Sequence, residues 1–176
     1  MNIVISIFIL FTGFAAFIFV LALFKRKDYN IEREIIIAAD TSRVFSYIRL
    51  LKNQDTFNKW VMSDPGMQRT FTGTDGTVGF IYGWNSKKQA GEGEQEITAL
   101  TEGSSMETEI RFVRPFVNVA KAIMTTEALP GGKTKVKWTN ASAMKYPMNI
   151  MLGTIEKMLA KDMDHSLGLL KKIMEQ

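Results

Sequence analysis

The 176-residue chain carries 22 Lys plus Arg against 18 Asp plus Glu, a net charge of +4 spread without any long basic block, which argues against a nucleic-acid-binding surface. It has no cysteine and a single histidine, His165, so disulfides, thiol nucleophiles and thiolate or His-cluster metal sites fall away, and a Ser-His-Asp triad survives only if His165 serves alone. No metal and no cofactor is expected.

Residues Met1 to Phe24 contain no charged side chain, hold sixteen Ile, Val, Leu and Phe residues, and run straight into Lys25-Arg26-Lys27. A helix of that length extends about 36 Å, more than the roughly 30 Å hydrocarbon core of a bilayer. A cleaved signal peptide would place basic residues first, have a shorter apolar core and end on small residues; here only Met1 and Asn2 precede the apolar run, and Leu21-Ala22-Leu23-Phe24 offers no such site. The expectation is an uncleaved transmembrane anchor over 1–24, a basic juxtamembrane linker over 25–30 and one folded domain over 31–176. Because Lys and Arg are retained on the cytoplasmic side, the same cations predict a single-pass protein of the cell membrane, its amino terminus outside and its domain cytoplasmic.

Ile31 to Ala38, rich in isoleucine with Glu32 and Glu34 interspersed, predicts a strand. Asp40 or Thr41 then caps a helix in which Val44, Phe45, Ile48 and Leu51 recur at three- and four-residue spacing, and a second short helix is expected over Asn53 to Trp60. From Met67 to Ser142 alternation and turn signals, Pro130-Gly131-Gly132 among them, predict about six antiparallel strands. In one of them, Val78 to Trp84, the shared face is Val78, Phe80, Tyr82 and Trp84. Two other strands place Met106, Ile110 and Phe112 on one face, and Val136, Trp138 and Asn140 on another. A long helix over about Met148 to Met174 follows, with Met151, Ile155, Met158, Leu159, Leu170 and Ile173 expected against the sheet.

This order is an α+β arrangement, and it resembles the START-like superfamily with its helix-grip fold, most closely the polyketide cyclase/dehydrase-like branch known as SRPBCC. The resemblance rests on Trp60 with Asp64-Pro65, on Phe71 and Gly73, and on Gly76 and Gly79 leading into Tyr82 and Trp84. It continues through Gly91-Glu92-Gly93, Ile97, Pro115-Phe116, Trp138 and Pro147 to Lys161-Asp162, Leu167, Leu170 and Lys171. Ser166 stands where the branch usually has a glycine, and a second tryptophan before Trp60 is missing. The resemblance implies a curved antiparallel sheet wrapped around the long C-terminal helix, with a hydrophobic cavity between them.

If that cavity exists, its lining is expected from Trp60, Phe80, Tyr82, Trp84, Ile110, Phe112, Arg114, Trp138, Met158 and Asp162. Asp162 falls inside the apolar stripe of the last helix, where a carboxylate needs a partner; Arg114 is the expected one. Gly91-Glu92-Gly93 lacks the helix and Lys-Ser/Thr of a phosphate loop and predicts strand bending or a close backbone approach. Three functions compete: a membrane-tethered binding protein for a hydrophobic small molecule or lipid; a polyketide cyclase/dehydratase-like enzyme using Asp162, Tyr82 or His165 as acid or base; and a non-catalytic interaction scaffold.

Overall fold

The computed structural model describes residues 3–88 and 90–176. Helix α1 (Ile3–Phe24) is long and apolar enough to cross a membrane, and most of its described side chains are exposed. Met1 and Asn2, the first residues of the expected anchor, lie outside the described residues.

Strand β1 (Asp28–Ile37) starts three residues beyond α1. Asp28 to Asn30, expected in the linker, are therefore part of the sheet: Asp28 pairs with Ala143, and the Met144 amide donates to the Lys27 carbonyl at 2.6 Å. Helix α2 (Thr41–Ile48) is capped by Asp40, whose Oδ1 accepts from the Ser42 amide at 2.9 Å and the Ser42 hydroxyl at 2.7 Å, satisfying a donor that the helix start leaves free. The helix expected over Asn53 to Trp60 is two pieces, α3 (Gln54–Phe57) and α4 (Lys59–Met62). Asn58 divides them: its backbone is extended and its side chain accepts from the Trp60 amide at 3.1 Å, starting a new helix in place of continuing the old one.

Six strands follow: β2 (Gln68–Thr72), β3 (Ile81–Asn85), β4 (Glu92–Thr101), β5 (Ser105–Arg114), β6 (Asn118–Leu129) and β7 (Lys133–Ala143). They complete one curved antiparallel sheet of order β1-β7-β6-β5-β4-β3-β2. Register shifts at Glu92/Gly93 and Ile97/Ala99 are of the kind that bend a strand and increase its twist. Val78, expected in β3, lies before it and is exposed, because Gly79 adopts a φ of 87° that extended backbone does not use.

Helix α5 (Leu152–Met174) closes the concave face. Its buried stripe is Ala160, Met163, Leu167, Leu170 and Met174, whereas Met151 and Met158, expected against the sheet, are exposed. Met151 belongs to a 3₁₀ turn ahead of α5, and Met158 stands about 140° around the axis from Met163 at roughly 100° per residue. The principal core joins this stripe to Val44, Phe45 and Ile48 of α2 and to Ile37, Val136 and Trp138 of the sheet. Each large apolar side chain so buried contributes on the order of 1.5–3 kcal/mol.

The register fixes the sheet's two ends. The end nearest α1 carries Asp28, Ala143, Asn118, Arg114, Glu92 and Asn85. The domain grips α1 there: buried Asn149 donates through Nδ2 to the Ala22 carbonyl at 2.7 Å and the Lys25 carbonyl at 3.1 Å, capping acceptors that a helix end leaves open. Arg26 pairs with Glu156 of α5. At the far end the Glu175 carboxylate accepts from the Ala38 amide at 2.6 Å and pairs with Lys171 at 2.9 Å; both hold its pKa below the ordinary value, the amide first.

Candidate functional site

Between the concave face and helices α4 and α5 lies a cavity of about 210 Å³. Trp60, Trp84, Ile110 and Phe112 wall it with Leu159 and Ala120. Gly93 makes room for this wall: a Cβ there would lie 2.6 Å from the Trp84 ring and 2.5 Å from the Arg111 carbonyl. Trp84 can thus lie over the β4 backbone, edge-to-face on Phe112 at 5.9 Å, with its indole N–H donating to the Ala90 carbonyl at 2.9 Å. Gly91, with φ of 62°, is likewise a close approach, since a Cβ would meet the Arg114 carbonyl. The expected backbone role of Gly91-Glu92-Gly93 is the one they fill.

The polar groups of the cavity are neutral and already paired. The Tyr29 hydroxyl donates to Asn140 Oδ1 at 3.2 Å, Asn58 Nδ2 to Gln54 Oε1 at 2.8 Å, and Gln95 Nε2 to Thr108 Oγ1 at 2.9 Å. Burial raises the Tyr29 phenol, which stays protonated. Among the described residues, no Asp, Glu, Lys or Arg lines the cavity.

Tyr82 reaches the wall from the sheet, but its hydroxyl turns away to the side, donating to Asp55 Oδ1 at 2.5 Å while accepting from Arg69 Nε at 2.9 Å. Asp55 and Arg69 form an ion pair of 3.1 Å beside it. Burial first and the Asp55 carboxylate second push the Tyr82 pKa far up, so its proton is committed and the group is unsuited to serve as a base.

Asp162 is buried as its place in the stripe implied, but its partner is not Arg114. Lys59 pairs with Oδ1, and the Trp60 indole N–H donates to Oδ2 at 3.1 Å. One turn on, Ser166 Oγ accepts from the Lys59 amide at 3.0 Å and donates to the Asp162 carbonyl at 2.8 Å. These contacts dock the start of α4 on α5 and aim Trp60 into the cavity, edge-to-face on Trp138 at 5.9 Å. Arg114 stands exposed at the sheet end, bonded to Glu92 and Asn85 at 2.8 Å each, because Ile110 and Phe112 point inward ahead of it and the strand ends there.

Of the expected lining, Trp60, Tyr82, Trp84, Ile110 and Phe112 come together around the cavity. Trp138 lies in the principal core behind Trp60, and Phe80 in a second cluster with Leu51, Ile97 and Met106. Met158 and His165 are exposed on the outer side of α5. Tyr29, Gln54, Asn58, Gln95 and Asn140 were not foreseen; the alternation that put Asn140 beside Trp138, and the four-residue spacing of Gln54 and Asn58, were the available signals.

A family model described as "Polyketide cyclase / dehydrase and lipid transport" matches residues 29–175. Truncated norcoclaurine synthase from Thalictrum flavum superposes with a TM-score of 0.63 at 13% identity, over 86% of this chain and 97% of that one. A crystal structure of a protein from Chromobacterium violaceum gives 0.59 at 13% identity, over 84% and 97%, and a protein from Nitrosospira multiformis 0.56 at 15%, over 83% and 96%. A further structure of the Thalictrum flavum synthase is in complex with dopamine and hydroxybenzaldehyde, with a TM-score of 0.62 at 12% identity, over 85% and 87%. No curated protein matches.

Proposed function

The chain belongs to the polyketide cyclase / dehydrase and lipid transport family, and on that footing we propose that it is a membrane-anchored binding protein that holds a compact, uncharged hydrophobic molecule between its sheet and α5. The observation that carries this reading is the lining of the cavity, aromatic walls with paired neutral amides and a phenol and, among the described residues, no Asp, Glu, Lys, Arg or His. Such a site favours an apolar ligand oriented by a few hydrogen bonds. At about 210 Å³ it lies below the roughly 300–1,000 Å³ of drug-sized sites, which suits one or two rings and is too small for a two-chain phospholipid. The anchor, α1 followed by Lys25-Arg26-Lys27, would hold this cavity beside the bilayer that dissolves such molecules, on the cytoplasmic side, and so raise their effective concentration.

The cyclase or dehydratase alternative draws on Tyr82 and Asp162. Both side chains are bonded to protein partners, so we assign them to positioning. Native mass spectrometry of the full-length protein released from nanodiscs tests the proposal: a co-purifying neutral adduct of small mass is expected. Ala120→Leu, which fills the cavity from β6, should weaken binding of a neutral aromatic probe by roughly tenfold or more. A preparation that carries no adduct and binds no such probe overturns it, and turnover lost in Tyr82→Phe would replace it with the enzyme.

A further inference from the structure

The turn between β5 and β6 ends in the most exposed apolar side chains outside α1, Phe116 at 63% and Val117 at 69%, with Val113 and Val119 exposed on the strands that lead into it. Isolated exposed apolar residues are ordinary, but a rimmed cluster marks a contact surface. Three observations identify what it contacts.

The first is register. Phe112 pairs with Asn118, Ala120 with Ser142 and Tyr29 with Ser142, so the turn projects from the sheet end at which α1 joins β1. Asn118 Nδ2 donates to Ser142 Oγ at 3.0 Å, fixing the base of the turn beside the strand that runs into Met144 to Pro147. The second is depth. Tyr146 in that adjoining segment donates to the Phe19 carbonyl at 3.4 Å, its ring 6.2 Å from that of Phe19. Phe19 sits five residues inside the apolar helix, about 7.5 Å at 1.5 Å per residue, so this face of the domain reaches past the end of α1 to the level of its apolar side chains. The third is charge. Lys25, Lys27, Lys145 and Lys157 surround the same junction and make no ion pair among the described residues, whereas the acids there, Glu92 and Glu156, are paired with Arg114 and Arg26; Asp28 is the remaining one. Apolar tips ringed by cations and a tyrosine are the composition of a segment that lies in an anionic membrane interface.

We propose that the Pro115-Phe116-Val117 turn inserts past the lipid headgroups to the top of the acyl chains next to α1, a second membrane contact that sets the cavity end of the domain against the bilayer. Trp84, Phe112 and Ala120 line the cavity from this same end, so docking would shorten the path from lipid to cavity. The inference rests on the reading of α1 as a membrane span.

The chain has no cysteine, so single sites can be labelled with an environment-sensitive dye in the full-length protein in nanodiscs of anionic lipid. Phe116→Cys and Leu10→Cys should both lose most of their emission when the lipid is brominated in its acyl chains, and Lys133→Cys at the far sheet end should lose none; Val117→Cys repeats the test should a label at Phe116 disturb the turn. Quenching at Leu10 with the turn labels behaving like Lys133, or shielded from water but unquenched, overturns the docking and leaves the span standing. An unquenched Leu10 label overturns the span, and the docking with it.

Discussion

Removing the Asp162 carboxylate strands two donors at once, the Lys59 ammonium and the Trp60 indole N–H. Lys59 is half exposed, so water restores most of what it loses; the indole is the donor whose satisfaction matters, because Trp60 packs between Trp138 and the cavity. Asp162→Ala should therefore destabilise the protein by roughly 1–3 kcal/mol, while Asp162→Asn keeps an acceptor for the indole and should fall between the variant and the parent. Thermal melting followed by tryptophan signal checks both, and an Asp162→Ala protein melting with the parent would show that the carboxylate does not hold α4. At this scale the sequence carried much of the site: helical phase marks Asp162 as buried, and period two puts Tyr82 and Trp84 on one face. It did not carry the partner, since Lys59 and Arg114 are equally charged and only the three-dimensional turn at Asn58 decides which one arrives. Nor does period two distinguish Phe80, closed into the cluster around Leu51, from Trp84, which reaches the cavity.

Elements that make their own local bonds were the legible ones. Helix α2 is written out in a capping aspartate and an apolar stripe, and the strands in alternation between glycine-rich turns. The elements that depend on tertiary contacts are less so: β1 begins three residues early because β7 is there to pair with it, and the buried stripe of α5 centres on Met163 and Leu167, keeping Leu170 but turning Met158 to solvent, because α2 and the sheet meet the helix on that side. The α2 cap offers a pH test. Hydrogen bonds from the Ser42 hydroxyl and amide hold the Asp40 pKa below its ordinary value. A depressed folded-state pKa contributes stability at pH values above the unfolded one, and that contribution is lost as the pH falls through the folded value. Asp40→Asn retains a capping oxygen but has no proton to take up. The variant should match the parent closely near neutral pH and show a flatter decline in melting temperature below the ordinary carboxylate range. Parallel acid limbs in the two proteins would mean that the cap does not contribute to the acid transition, leaving it to groups such as Asp64, held low chiefly by the Ser86 hydroxyl, and Glu175.

At the scale of the whole molecule the consequences follow from how tightly the domain is joined to α1. A flexible tether would let the domain tumble, and the cavity would face lipid only part of the time; here Asn149 caps α1 from inside the domain, Tyr146 rests on Phe19, and β1 follows α1 after three residues. Orientation of the helix therefore dictates orientation of the cavity. Retention of Lys25, Arg26 and Lys27 on the cytoplasmic side would put residues 28–176 inside. Protease added to intact cells or right-side-out vesicles should leave the domain whole and digest it only once detergent opens the membrane. Digestion of the domain in sealed vesicles would invert the topology and make the outer leaflet the source of any ligand, yet it would leave the geometry at the junction, and so the docking of the Phe116 turn, untouched. That independence follows from the physics: for a chain anchored through α1, the positive-inside preference would decide which side of the membrane the domain occupies, whereas the contacts between α1 and the domain would decide which face of the domain turns toward the membrane.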